Sequence, residues 1–264
     1  MGNPNESRAA AFACNGSDGQ IEEICVFEIE EQIGIQEIII LKVKTEKKAK
    51  IPIIIIYSLV FYGVWALWEL FGRSAVGSVV SDEVILSFIT EGIVKVLVWV
   101  LPAVCLVRYF RDEVYIGLKD MFTNRVKLLK YIPVYLVFTV YLIIGTFIRK
   151  GGLAVSDSFS CSDLIDVLFV GITEEMVFRG WLLNVSVSEK RKWLPIIINA
   201  VMFLLIHFPI WIANGMFIDS FTSLNFLCVP ILSVIFSWSF IKSKSIWIPI
   251  TLHMYWDLLT CLFY

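Results

Sequence analysis

The decapeptide GITEEMVFRG, residues 171–180, sets two adjacent glutamates and an arginine inside an otherwise apolar run. The chain has two histidines. His207 lies in NAVMFLLIHFPI and His253 in PITLHMYWDLL, with Asp257 one helical turn further on. Ionisable groups at membrane depth are costly and mark functional sites. A carboxylate with two imidazoles can act as general base and hydrogen-bonding partner for hydrolysis of an amide. On a helix, adjacent carboxylates diverge by about 100°, so Glu174 and Glu175 are expected to do different work. Glu175 and Arg179 are spaced i,i+4 and can pair along one helix face, which leaves Glu174 as the free carboxylate. His253 and Asp257 share the same spacing and can share a hydrogen bond. Phe203, one turn before His207, is expected to pack beside the site.

The elements that must carry these residues are transmembrane helices. The chain has 264 residues, of which 58% are hydrophobic and 17% charged. A soluble domain carries roughly a quarter charged residues. No basic stripe points to nucleic acid. Seven apolar segments, roughly 51–72, 84–107, 131–148, 162–184, 194–213, 224–241 and 246–263, are each about long enough for a ~30 Å hydrocarbon core. The expected fold is an all-α polytopic bundle of about seven spans. Pro52, Pro133, Pro195 and Pro249 sit near segment starts, where a missing N–H is tolerated. Pro102, Pro209 and Pro230 are interior and should kink their helices. The linker KSKS, 242–245, forces the last two helices into an antiparallel hairpin.

Residues 1–50 are expected to form a separate N-terminal cytoplasmic segment, polar and disordered over 1–20, ahead of a membrane domain at 51–264. Within 1–50, 21–44 fits strand and amphipathic helix equally. The cysteines Cys14, Cys25, Cys105, Cys161, Cys228 and Cys261 form no CxxC pair, and the last four read as small core residues. Lysines and arginines number sixteen on one set of loops and flanks and three on the other. That puts the N-terminus inside and the C-terminus outside. Counted along their helices at ~1.5 Å per residue, Glu174, His207 and His253 lie ~15, ~20 and ~11 Å from the inner surface. They can therefore share one layer, with the site expected to open towards the cytoplasm of a plasma-membrane protein.

EEMVFR, FLLIH and HMYWD match in order the motifs EExxxR, FxxxH and Hxxx(N/D). In this the chain resembles the CPBP family of CAAX-processing and bacteriocin-processing intramembrane proteases, also called Abi, over a core at about 160–260. The resemblance implies a membrane endopeptidase acting on a membrane-associated, in some members lipid-modified, peptide. Glu174 would activate water with His207 helping to hold it, and His253 and Asp257 would line the oxyanion site. Glu175 and Arg179 would be structural or orient substrate. An ionised Asp257 cannot donate a hydrogen bond as the alternative Asn does, so it is expected to orient His253. Three other readings stand beside this one. A zinc-dependent membrane protease would use Glu174, His207 and His253, but HExxH is absent, and catalysis without a metal or other cofactor is the expectation. A transporter would show broken helices in repeated halves. A bacteriocin self-immunity protein of the same family would bind without turnover.

Overall fold

A computed structural model describes residues 50–223 and 225–264 of the chain. The undecided stretch 21–44 lies outside them. Over their described residues the seven apolar segments are largely helical. The first three long helices are Lys50–Gly77, Glu83–Tyr109 and Leu128–Lys150; the fifth is Trp193–Ala213. Among the described residues, these four are long and apolar enough to cross a membrane. The helix carrying Glu174 runs from Cys161 to Glu175 and continues through Met176–Leu183 to Ser186. Its charges, not its length, set it apart. The last two helices, Cys228–Ser243 and Trp247–Phe263, have 16 and 17 residues, or about 25 Å.

The ends of these helices follow from local chemistry. Asp163 accepts from the Ser160 backbone N–H at 2.7 Å and closes the first turn of the Glu174 helix. Leu128–Lys150 stops at Gly151, which takes φ 72°, a conformation glycine adopts without strain. The hairpin between the last two helices turns on Lys244, at φ 53°, with its N–H on Phe240 O. The three prolines expected to kink helices behave differently. Pro209 breaks its helix: Trp193–Leu205 ends, Ile206 and His207 form a turn, and Phe208–Ala213 begins again. Pro102 follows π-helical turns at Phe88–Val94 and Val96–Val100, a register that relieves a missing N–H inside a helix. Pro230 does not kink anything. Its helix starts at Cys228, four residues later than expected, so Pro230 falls in the first turn.

Residues Tyr57–Tyr264 form one compact unit. Its core is aromatic: Phe61, Trp65, Trp99, Phe178 and Trp181 are all buried, with Trp65 and Trp99 edge to face at 4.5 Å. A second cluster joins Tyr131, Phe138, Phe236, Ile248 and Leu252. Leu59, Leu136, Ile148 and Ile197 face outwards, as lipid-facing side chains do. Lipid gives no hydrophobic drive between helices, so small residues and buried hydrogen bonds hold them. Asn199 donates to Phe178 O at 2.8 Å, Tyr135 to Thr251 at 2.8 Å, and Gly171 lets its helix lie close against Met254 and Ile250. The cysteines depart from the expected core placement. Cys105 and Cys161 are exposed and Cys228 and Cys261 half-buried, all four as free thiols.

Candidate active site

The Glu174 helix changes from α to π register immediately after Glu175, at Met176. Such insertions are frequent at functional sites. The run 173–185 is buried without a break, so Glu174 projects into protein on one side and the Glu175–Arg179 pair on another. Arg179 is fully buried. Its Nη1 donates to Glu175 Oε1 at 2.9 Å, as the i,i+4 spacing predicts. Its Nη2 donates to Ser233 O and Ser233 Oγ at 3.0 and 2.8 Å. The guanidinium lies over the rings of Phe203 and Phe236, 4.6 and 5.3 Å from their centres, a contact that favours a desolvated cation. One side chain thus ties three helices together.

Glu175 does more than balance Arg179. The same Oε1 accepts from His253 Nδ1 at 2.9 Å. Phe236 stacks on the imidazole, centroids 4.9 Å apart, and Phe203 meets it edge-on at 5.8 Å. With Nδ1 engaged, Nε2 faces Asp257 Oδ2 at 3.4 Å and Glu174 Oε2 at 3.9 Å. The histidine is therefore held at Nδ1 by Glu175, which its spacing from Asp257 does not suggest, and meets Asp257 at Nε2 as the i,i+4 spacing does. Nothing in the sequence shows this, because Glu175 and His253 are 78 residues apart.

Glu174 is not a free carboxylate. Lys95 Nζ lies 3.3 Å from its Oε1 and 2.7 Å from Glu91 Oε2. Arg73 pairs with Glu91 and, through Nε, with Glu69 Oε2 at 3.2 Å. Glu174 thus ends a line of alternating charges running through Lys95, Glu91, Arg73 and Glu69. Lys95 is buried against the indoles of Trp65 and Trp99, 5.1 and 5.0 Å away. The signal for this line was present in the sequence: Glu91 and Lys95 are an i,i+4 pair inside an apolar segment, and Glu69 lies inside another. Glu174 Oε2 has no protein hydrogen-bond partner.

His207 sits in the turn that Pro209 enforces. Its Nδ1 is 2.8 Å from Phe203 O. A carbonyl only accepts, so Nδ1 carries the proton and Nε2 is left as acceptor. Phe203 packs against it at 5.2 Å, as expected from the one-turn spacing. His207 and Glu174 line one cavity of about 250 Å³, with Lys95, Glu91, Arg73, Asp166 and apolar walls including Trp65 and Val170. The structure therefore brings Glu174, Glu175, Arg179, His253 and Asp257 into one contact network. Phe203 bridges that network to His207, and the cavity joins His207 to Glu174.

The fit to zinc is poor. Among the described residues no three His, Cys, Asp or Glu side chains are gathered to hold a metal. Where Glu174 would ligate, an ammonium group already touches its carboxylate.

Residues 159–259 match the family model described as type II CAAX prenyl endopeptidase Rce1-like. No curated protein and no solved structure matches the chain. The matched residues contain every member of the network around Glu174 and His253 described above except Lys95 and the charges behind it. The order of EEMVFR, FLLIH and HMYWD and the meeting of their side chains in one site agree with that match, and over residues 159–259 the chain is similar to the Rce1-like type II CAAX prenyl endopeptidases.

Proposed function

We propose that the protein is an intramembrane endopeptidase in which Glu174 is the general base. The observation that carries this is the placement of Glu174. Its carboxylate borders a cavity shared with His207, and one of its oxygens lies towards His253 Nε2. In this reading a water molecule is held between Glu174 and His207 Nε2, which accepts one of its protons in a hydrogen bond. Glu174 takes the other proton as the water oxygen attacks the scissile carbonyl carbon. The carbonyl oxygen becomes an oxyanion, and His253, held as an imidazolium among Glu175, Asp257 and Glu174, donates to it from Nε2 while Nδ1 donates to Glu175. Glu174 then passes its proton to the leaving nitrogen as the C–N bond breaks. Glu175 keeps Nε2 of His253 aimed at the reacting atoms. Lys95 holds the other Glu174 oxygen in place and leaves Oε2 for chemistry. Asp257, 3.4 Å from Nε2, flanks the oxyanion position.

The proposed substrates are membrane-associated peptides, including those with a lipid-modified C-terminus, as the family's description indicates. The test compares membrane-proteome peptide termini between cells expressing the wild type and the Glu174→Gln and His207→Ala variants. Termini produced by the wild type should vanish in both, with the variants inserted and folded. Undiminished cleavage by Glu174→Gln would sink the mechanism. Bacteriocin resistance that survives in that variant would point to binding without turnover.

A further inference from the structure

We propose that the protein holds one anionic phospholipid in an apolar groove on its outer, lipid-facing side. An acyl chain fills the groove, and the phosphate headgroup rests on Lys130 and Lys242. Neither the peptidase reading nor the direction in which the bundle faces enters into it.

The groove lies between three helices. Leu128–Lys150 and Cys228–Ser243 run antiparallel and meet at both ends. Tyr131 meets Trp238 edge to face, centroids 6.4 Å apart, and Tyr141 OH lies 3.5 Å from Cys228 Sγ. Between these contacts a cavity of about 420 Å³ stays open, walled by Val134, Val137, Val234 and Trp238, with Trp193 of the fifth helix along its side. Phe138, buried and packed on Phe236 at 6.4 Å, forms the floor. No polar atom faces this space. Val137 and Trp193 are also exposed on the outside of the bundle, so the groove opens sideways to hydrocarbon. An empty gap there would forfeit the dispersion contacts of its walls, and an acyl chain restores them.

One end of the groove is cationic. Lys130 directly precedes Tyr131, and Lys242 lies one turn beyond Trp238 on the same face of its helix. Because Tyr131 and Trp238 touch, the two lysines flank the same end. Both are exposed. Among the described residues neither has an acidic partner, whereas Lys192 nearby in the sequence to Trp193 is held by Glu189 at 2.7 Å. Trp193 and Trp238 are themselves partly exposed, and indoles settle at the level of lipid headgroups. The chain-sized groove therefore ends where a headgroup sits, beside two free ammonium groups. Basic pockets between transmembrane helices bind anionic headgroups. A zwitterionic lipid could fill the groove equally well, but its own ammonium would offset what the lysines contribute.

The experiment uses the full chain purified in a neutral detergent. Dioleoyl phosphatidylglycerol and dioleoyl phosphatidylcholine are added in equal amounts, and the lipid that stays bound is counted by native mass spectrometry. One phosphatidylglycerol should be retained, in preference to phosphatidylcholine by about tenfold or more, since each lysine near an anionic headgroup contributes about fivefold. The double variant Lys130→Gln, Lys242→Gln changes only exposed side chains and should bring the two lipids level. Val137→Trp fills the groove from its outer wall and leaves both lysines; it should cut phosphatidylglycerol retention by a similar factor. Equal retention of the two lipids by the wild type would overturn the proposal, as would a preference that survives the loss of both lysines. Retention untouched by Val137→Trp would put the lipid on the charges alone and overturn the groove. A dimer that Val137→Trp dissociates would give the groove to a second copy of the chain and overturn it likewise.

Discussion

Glu174 and Glu175 are neighbours in sequence and differ in everything that matters chemically. Glu175 is fully enclosed and committed to Arg179 and His253. Glu174 borders the cavity and keeps one oxygen without a protein hydrogen bond. Lys95 determines how both Glu174 and Glu91 are tolerated in an apolar bundle. Removing one partner of a buried ion pair strands the other, at about 3–5 kcal/mol. Lys95→Met, similar in length and uncharged, should therefore lower the unfolding temperature of the detergent-solubilised protein. A variant as stable as the wild type would show that Lys95 does not compensate Glu174. Arg179→Lys tests the geometry of its fork. Lysine keeps the charge but is a single point donor, and cannot reproduce the paired contacts to Glu175 and Ser233. Cleavage should fall at least tenfold, with His253 losing its fixed orientation. Full activity would mean that the charge alone suffices.

Two helix features set the distances between these side chains. Pro209 ends the helix at Leu205 and puts His207 in a turn. Pro209→Ala restores an N–H donor and removes the ring that crowds the Leu205 carbonyl one turn back. The helix should then run on through 206–208 and draw His207 from the cavity, so cleavage is expected to be lost while total helicity holds or rises by circular dichroism. Gly171 allows the close approach of the Glu174 and His253 helices. A Cβ there would meet Met254 Cγ at 2.5 Å, with Met254 N and Ile250 O at 3.4 and 3.5 Å. Alanine needs Met254 to turn about its first side-chain bond, with the backbone left in place. Valine adds bulk towards backbone that cannot yield. Gly171→Ala should keep most activity and Gly171→Val should lose it, with the helices forced apart at the depth of His253. Equal activity in the two variants would show that this contact does not set the site.

The bundle brings three motif-bearing helices together and adds the Lys95 helix from outside the family match. Its orientation is a prediction from loop charge: sixteen lysines and arginines against three put the expected N-terminus inside and the expected C-terminus outside. Alkaline phosphatase fused after Tyr264 should be active in a bacterial host, and green fluorescent protein fused there should stay dark. The reverse pattern would invert the molecule.

The sequence by itself determined a helical membrane protein and pointed to the residues proposed for its site. Apolar segment length and hydrocarbon thickness leave few other options, and charge in such segments is too costly to be accidental. The i,i+4 pairing of Glu175 with Arg179 and the packing of Phe203 on His207 were legible for the same reason: helix geometry relates residues one turn apart. Contacts between helices have no such rule. Lys95 on Glu174, Glu175 on His253 and Ser233 on Arg179 join residues tens of positions apart, and only packing brings them together.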